Sequence, residues 1–112
     1  MQVEVFKALT DESRLRILNL LMQRETCVCD IETILNLSQS NVSRHLNKLK
    51  FSGLVDSRKQ AQWIYYSLNE PFVKDHPYLI SHLKSVFASE PVYTSDLDIL
   101  ANQKNLNRCV SY

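Results

Sequence analysis

The chain has 112 residues and a formal net charge of +1, with 45% apolar and 22% charged residues. This length suits one small domain, and the composition excludes both a disordered chain and a polycation that binds by bulk charge alone. No run of 18 apolar residues and no signal-like start is present, so we expect a cytoplasmic protein without membrane contact. Three cysteines are an odd number, which favours free or metal-binding thiols over a disulfide framework.

Apolar periodicity predicts short helices through the first half of the chain. The first covers residues 3–9, and Thr10 and Asp11 supply the N-cap of a second. The apolar stripe of this second helix comprises Leu15, Ile17, Leu18, Leu21 and Met22. The polar residues that we expect on its opposite face are Arg14, Arg16, Asn19, Gln23 and Arg24. A third short helix is predicted over residues 27–35.

Ser38 caps a fourth predicted helix. Its core contacts are predicted to be Val42, Leu46, Leu49 and Phe51. Gly53 suits the left-handed position that ends such a helix. Residues 54–68 change period to β-favouring types around a polar stretch, which is typical of a hairpin. A long helix over residues 77–89 and a further one over residues 95–106 complete the prediction.

Short helices, a turn, a polar-faced second helix and a basic hairpin predict a winged helix-turn-helix, mainly α with a small β-hairpin wing. Residues 38–63 carry five basic residues and one acidic residue, whereas residues 70–100 carry five acidic and two basic ones. This asymmetry fits DNA contact on one side and protein contact on the other. Because the apolar stripe of residues 77–89 is wide, we expect a dimer. We assign residues 1–92 to DNA binding and dimerisation, and residues 93–112 to a C-terminal helix and loose tail carrying Cys109.

The fourth helix is the predicted DNA-reading element, because a major groove admits one α-helix whose N-terminal residues reach base edges. Gln suits adenine, Arg suits guanine, and free amides at the helix start can hold a phosphate. The helix residues predicted to contact DNA are Ser38, Gln39, Ser40, Asn41, Ser43, Arg44, His45 and Lys48. In the hairpin they are Arg58, Lys59 and Gln62. For His45, a structural hydrogen bond near the turn is an equally good interpretation.

Cys27 and Cys29 place two soft thiolate ligands one residue apart, just before the predicted DNA-reading helix. On a helix, residues two apart point roughly 200° apart, so the chain must bend at the helix start for both to share one ion. Thiolates are favoured near a helix N-terminus. The arrangement predicts a switch in which ligand capture strains the chain and moves the DNA-reading helix.

Four motifs in this order resemble the ArsR/SmtB family of metal- and metalloid-responsive repressors. They are residues 6–18 (FKALTDESRLRIL), 27–30 (CVCD), 38–46 (SQSNVSRHL) and 63–68 (WIYYSL). The resemblance covers residues 5–90 and implies a homodimer paired through its first and last helices. It further implies binding to an inverted repeat in operator DNA and release by an inducer. A glycine is common at the tip of the family's wing; this chain has Gln60 and Ala61 there, which suggests a looser or longer tip.

In that family the Cys-x-Cys-Asp motif marks arsenite/antimonite sensors and cadmium/lead sensors. The resemblance therefore implies As(III) or Sb(III) as inducer, held by Cys27 and Cys29. The family's usual third cysteine is replaced here by Glu32, which leaves Cys109 as the remaining thiol, within one subunit or across the dimer. Because the sequence begins almost at the first predicted helix, we do not expect the N-terminal arm that supplies a cysteine in cadmium/lead sensors. The family's zinc site in the long helix ends in His-x-x-Glu or a similar pattern. Here His82 is followed three residues later by Ser85, which excludes that site.

The leading interpretation is a dimeric repressor released by arsenic or antimony, with no enzymatic activity and no catalytic cofactor. One alternative keeps the repressor but replaces the inducer with Cd(II), Pb(II) or oxidation of the thiols. Another is a winged helix used for protein contact without DNA binding. Neither a nucleophile–base pair nor a phosphate loop is recognisable in the sequence.

Overall fold

The computed structural model describes the backbone of residues 2–103 and the side chains of residues 3–102. Its helices are α1 (Gln2–Ala8), α2 (Glu12–Gln23), α3 (Val28–Leu35), α4 (Gln39–Phe51), α5 (Glu70–Asp75), α6 (Pro77–Ser89) and α7 (Pro91–Gln103). Its strands are β1 (Thr26–Cys27), β2 (Val55–Gln60) and β3 (Trp63–Leu68). The mainly helical architecture with a small antiparallel sheet confirms the predicted winged helix-turn-helix.

The wing is a hairpin of β2 and β3 that is extended by β1. The strands are antiparallel in the order β1-β3-β2. The hairpin confirms the prediction for residues 54–68. The two-residue strand β1 was not predicted; it pairs Thr26 with Tyr66 and Cys27 with Tyr65. As a result, the segment that carries Cys27 belongs to the same sheet as the wing.

The tip of the wing is a tight turn. Gln60 pairs with Trp63, so only Ala61 and Gln62 connect the two strands, and the expected looser or longer tip is wrong. Ala61 has φ +56°. The two-residue turns that favour hairpins, types I′ and II′, both require a positive φ at this first position. An alanine in this conformation is strained, since its Cβ crowds the following carbonyl.

Ala61→Gly should therefore raise the free energy of unfolding by about 0.5–1 kcal/mol, because relief of backbone strain outweighs the added entropy of the unfolded chain. Urea denaturation followed by circular dichroism measures the change. Gln62→Gly is the matched control, because Gln62 is not among the described residues with positive φ. Glycine relieves no strain there and only adds entropy to the unfolded chain, so this variant should be less stable than the wild type. Equal loss of stability in both variants would contradict this account of the turn.

Helix α2 lies at the centre of the fold. Asp11 caps it as predicted, its Oδ1 accepting from the Arg14 backbone N–H at 3.1 Å. Arg14 and Asn19 were predicted on the polar face opposite the apolar stripe, but the structure shows that both are buried. Because α2 packs against α4, α7 and β3, little of its circumference is free for polar side chains. Each buried group is bonded instead: the Asn19 side chain donates to the Tyr93 carbonyl at 2.9 Å.

The C-terminal helix α7 packs along α2 and α3. The Arg16 guanidinium holds the buried Asp96 carboxylate through two hydrogen bonds of 2.8 and 3.0 Å. Helix α7 begins four residues earlier than the predicted 95–106, with Pro91 in its first turn, where the missing N–H costs nothing. The predicted end of this helix, the loose tail and Cys109 lie outside the described residues. The structure also adds α5, capped by Asn69, whose Oδ1 accepts from the Phe72 N–H at 2.7 Å.

The prediction of Phe51 as a core residue is wrong, since it is 78% exposed. Leu49 is buried on the same helix, and two residues further on the side chain points about 200° away from it. Val42, Leu46 and Leu49 are buried as predicted. Gly53 follows the helix with φ +88°, which confirms its left-handed role at the end of α4.

Candidate DNA interface and thiol site

The orientation of α4 is set by its cap and its buried face. The Ser38 hydroxyl accepts a hydrogen bond from the Asn41 N–H at 3.2 Å, which satisfies one of the free amides at the helix start. Val42, Leu46 and Leu49 anchor the opposite side in the core. The polar N-terminal face of the helix is consequently presented to solvent.

Most of the predicted DNA-contacting residues lie together on this face. Gln39, Ser40, Asn41 and Arg44 are exposed, and Ser43 is half-buried beside them. The Arg44 guanidinium donates to the Asn41 side-chain oxygen at 3.2 Å, which directs it along the helix surface. Amide, hydroxyl and guanidinium groups are therefore concentrated at the helix end that enters a groove in DNA-bound helix-turn-helix proteins.

His45 differs from the rest of the predicted set, because it is only 5% exposed. Its Nδ1 accepts a hydrogen bond from Arg14 Nη1 at 3.1 Å. Burial lowers the pKa of His45, the charges of Arg44 and Arg14 lower it further, and Asp11 opposes them. A neutral ring suits this acceptor role. The structure therefore places His45 inside the protein, as the alternative interpretation held, and we leave it out of the DNA interface.

Arg14, which the sequence placed on the polar face of α2, is the buried partner of His45 and supports α4 from inside the protein. Besides His45, its guanidinium donates to the carbonyls of Ala8 at 2.8 Å and Lys7 at 3.3 Å. One buried side chain thus connects the end of α1, the start of α2 and the middle of α4. The available signal for this burial was the position of Arg14 at the edge of the leucine stripe of α2. A buried arginine needs several acceptors, and the sequence alone does not show where they lie.

The predicted basic contacts continue along α4 and the wing. Lys48, Lys59 and Gln62 are exposed. Arg58 is also half-exposed, but it has an internal partner: Nε and Nη2 each donate to the Glu25 carboxylate at 2.7 Å. Its guanidinium also lies 4.7 Å from the centroid of the Tyr65 ring. Arg58 is therefore held by the segment before β1, whereas Lys48 and Lys59 extend into solvent.

The two thiols converge without distorting a helix. Cys27 is the N-cap of α3, with extended backbone angles (φ −70°, ψ 144°), and only Cys29 lies in the first helical turn. The predicted conflict between residues 200° apart on one helix therefore does not arise. Cys27 is 5% exposed and Cys29 is half-buried, and the two side chains are close enough for a hydrogen bond between them.

Burial is the largest cause that raises the pKa of the Cys29 thiol, and together with the neighbouring Cys27, Glu32 and Asp30 it brings this pKa to about 11. The prediction of a thiolate stabilised by the helix start is therefore wrong for Cys29, because desolvation and negative neighbours outweigh the helix dipole. Among residues 2–103, no three His, Cys, Asp or Glu side chains are grouped closely enough to hold a metal ion. The described part of the site is a pair of thiols.

Comparison with known proteins agrees with this arrangement. The family model described as "Bacterial regulatory protein, arsR family" matches residues 11–57. The homodimeric winged helix-turn-helix domain of Mb0332 from Mycobacterium bovis, a possible ArsR-family regulator, has a TM-score of 0.65 at 32% identity, covering 74% of this chain and 77% of that one. The chain belongs to the ArsR family. The family resemblance read from the four sequence motifs is thus confirmed.

Two curated relatives in the ArsR family differ in the resistance for which they are named. The arsenical resistance operon repressor of Escherichia coli K12 is 48% identical over 68 residues, covering 60% of this chain and 58% of that protein. A CadC homologue from Staphylococcus aureus, a cadmium resistance regulator, is 42% identical over 72 residues, covering 63% of this chain and 60% of that protein. The matched part of this ArsR-family chain spans less than two thirds of each relative.

Among residues 2–103, no helix is long and apolar enough to cross a membrane.

Proposed function

We propose that this chain is a homodimeric, cytoplasmic transcriptional repressor that binds an inverted-repeat operator and is released by As(III) or Sb(III). The observation that carries the proposal is the pair of adjacent thiols at the start of α3, one helix before an exposed polar helix start on α4. Helix α3 packs against α4, so a ligand that joins the thiols acts on the support of the DNA-reading helix.

For DNA binding, Gln39, Ser43 and Arg44 are the proposed base-reading residues, with Ser38, Ser40 and Asn41 at the phosphate backbone. Lys48, Lys59 and Gln62 extend the contact to neighbouring phosphates. Gln62 lies at the tip of the wing, beside Ala61. We assign DNA binding and dimerisation to residues 1–92 and the C-terminal helix and tail to residues 93–112.

The proposed dimer surface lies on α1 and α6. Val3 and Phe6 on α1 are each 60% exposed, and Tyr78 on α6 is 90% exposed. Large apolar side chains on two helices of a small domain are typical of an interface with a partner. The Mycobacterium bovis neighbour is described as homodimeric, which supports a homodimer for this chain.

The thiol pair suits capture of arsenous acid. A thiol sulfur forms a bond to arsenic, an arsenic–oxygen bond breaks, and the departing hydroxide leaves as water with the thiol proton. The protonated Cys29 of the free protein therefore supplies the proton that the leaving group needs. Soft thiol ligands select soft ions and metalloids over Mg(II) or Ca(II).

We further propose Cys109 as the third thiol. The Arg24 guanidinium donates to the Leu100 carbonyl at 3.1 Å, so the end of α7 lies beside the residue three positions before Cys27. Cys109 follows Gln103 by six residues, an extended reach of about 20 Å. We propose capture of the inducer by Cys109 of the same subunit. Capture across the dimer is the alternative route.

A cadmium or lead sensor is the second candidate, because a cadmium regulator is among the relatives at 42% identity. The pH dependence separates the two. Cys29, with its pKa raised to about 11, is protonated between about pH 6 and 8. Cd(II) must displace this proton, so its apparent affinity should rise about tenfold per pH unit from Cys29 alone. With arsenous acid, the thiol proton leaves as part of the water molecule that is released. No net proton is given off, so the apparent affinity for arsenite should change little with pH.

Fluorescence anisotropy of the reduced protein on the DNA upstream of its own gene tests the proposal. Arsenite, Cd(II) and Zn(II) are titrated separately at about pH 6.5 and 7.5. Near-stoichiometric release by arsenite, equal at both pH values and absent with zinc, is the expected result. Release by cadmium alone, stronger at the higher pH, would replace the inducer. Absence of salt-dependent specific DNA binding would overturn the repressor and favour a protein-interaction module.

A further inference from the structure

Cys27 and Arg58 lie in one row across the sheet, on either side of Tyr65. Cys27 of β1 pairs with Tyr65 of the central strand β3, and Tyr65 pairs in turn with Arg58 of β2. We call Cys27, Tyr65 and Arg58 the sheet row. Neighbouring strands lie about 4.8 Å apart, and Cys27 and Arg58 are two strands apart. Their backbones are therefore about 10 Å from each other.

The side chains of the sheet row share one face, because directly opposed residues of adjacent strands point to the same side. The Arg58 guanidinium stacks over the Tyr65 ring at 4.7 Å. From there it reaches Glu25, two residues before Cys27, through two hydrogen bonds of 2.7 Å. The thiol segment and the wing are thus connected twice, by backbone pairing through Tyr65 and by the Glu25–Arg58 ion pair.

Strand β1 is a two-residue strand that begins right after Glu25 and ends at Cys27. A shift of Cys27 therefore displaces both the edge of the sheet and the anchor of Arg58. Lys59, the next residue of β2, has its side chain exposed to solvent. Arg58 and Lys59 belong to the same strand, β2. A displacement of Arg58 therefore also moves the strand that presents Lys59 to solvent.

We infer that Arg58 is a positioning residue of the switch, which couples the thiol pair to the wing through Glu25 and Tyr65. This inference rests on the proposed function. In the free protein the ion pair holds the wing in its DNA-binding position. When the thiols are joined by the inducer, β1 moves, the ion pair is lost or displaced, and the wing no longer fits the duplex. This route is additional to the contact of α3 with α4.

The test compares the release ratio, defined as the DNA dissociation constant with saturating arsenite divided by that without it, in the full-length chain. Glu25→Gln removes the charge that holds Arg58. Asp56→Asn is the matched control, because Asp56 is another exposed acid of the wing, on β2, that bonds Asn69 and takes no part in the ion pair. Both changes remove one negative charge, but only Glu25→Gln frees the wing from the ion pair, so it should weaken inducer-free binding. Asp56→Asn should leave inducer-free binding unchanged or slightly stronger. We expect the release ratio to fall at least about fivefold in Glu25→Gln only, within the usual range of allosteric coupling.

Arg58→Lys is the second variant. It keeps the positive charge but loses the paired hydrogen bonds and the planar stacking on Tyr65. We expect it to lower the release ratio as Glu25→Gln does, while arsenite binding to the DNA-free protein stays at the wild-type level. Wild-type ratios in both variants would overturn the inference and leave the proposed function standing. Failure of arsenite to release the wild-type protein would overturn both.

Discussion

Cys29→Ser should abolish arsenite-driven release while leaving inducer-free DNA affinity within about twofold of wild type. Cys29 lies on the half-exposed first turn of α3, away from the core that holds α4, so its sulfur is not needed to support the DNA-reading helix. Without Cys29 the inducer can no longer join the adjacent thiols at the start of α3, even if Cys109 still binds it. Since coupling in such switches is about 1–3 kcal/mol, the wild-type shift in affinity should be about 5–150-fold and the variant shift near one. Anisotropy titration with arsenite measures both values.

Cys109→Ser is the control for this variant. Retained release with weaker arsenite affinity would identify Cys109 as a third ligand, and unchanged behaviour would restrict the site to the described pair. Cys27 is less suitable as a first variant, because it is buried and begins the sheet connection to Tyr65. Loss of inducer-free DNA binding in Cys29→Ser, with a normal circular dichroism spectrum, would make the thiol structural and contradict the proposed site.

Arg44→Ala should weaken binding to operator DNA by about 1–3 kcal/mol, or about 5–150-fold, with a much smaller effect on unrelated DNA. Arg44 is exposed near the start of α4 and hydrogen-bonded to Asn41, which reduces the freedom of its guanidinium before it meets a base. An arginine that forms two hydrogen bonds to a guanine contributes mainly to specific binding. Anisotropy with operator and scrambled duplexes at one salt concentration measures the difference.

Lys48→Ala is the matched control on the same helix. Lys48 is exposed one turn beyond Arg44 and is proposed to contact phosphate. Its loss should weaken operator and scrambled DNA alike and reduce the slope of log affinity against log salt by about one. If Arg44→Ala also weakens both duplexes equally, Arg44 contacts the phosphate backbone and the base-reading assignment is wrong.

Two physical routes connect the thiols to the proposed DNA-contacting surface of this chain. One passes from α3 to α4 by direct helix packing, as the order of the motifs suggested. The other passes from Cys27 through Tyr65 to Arg58, and it depends on β1. Because the wing and α4 are proposed to contact different parts of a duplex, a small displacement of either relative to the other should reduce the fit to both.

Local patterns in the sequence determined most of the helices and the wing. Asp11 and Ser38 are side-chain caps that act on amides three residues away, and Gly53 takes the left-handed angle that ends α4. The helix predicted over residues 77–89 is observed as Pro77–Ser89. These features depend on neighbours within one or two turns, so the sequence alone contains their cause. The order of these elements predicted the winged helix-turn-helix, and the Cys-x-Cys pair is read directly from the residues. The family motifs add the expected operator and inducer.

The tertiary structure alone decided which polar residues are buried and which strands meet. Cys27 was predicted in a helix, but pairing with Tyr65, 38 positions away in the chain, places it in a strand. His45 and Arg14 are 31 positions apart and become a buried hydrogen-bonded pair, and Glu25 and Arg58 are 33 apart and become an ion pair. Such contacts depend on how α2, α4 and the sheet pack together, and no periodicity within one element records that packing.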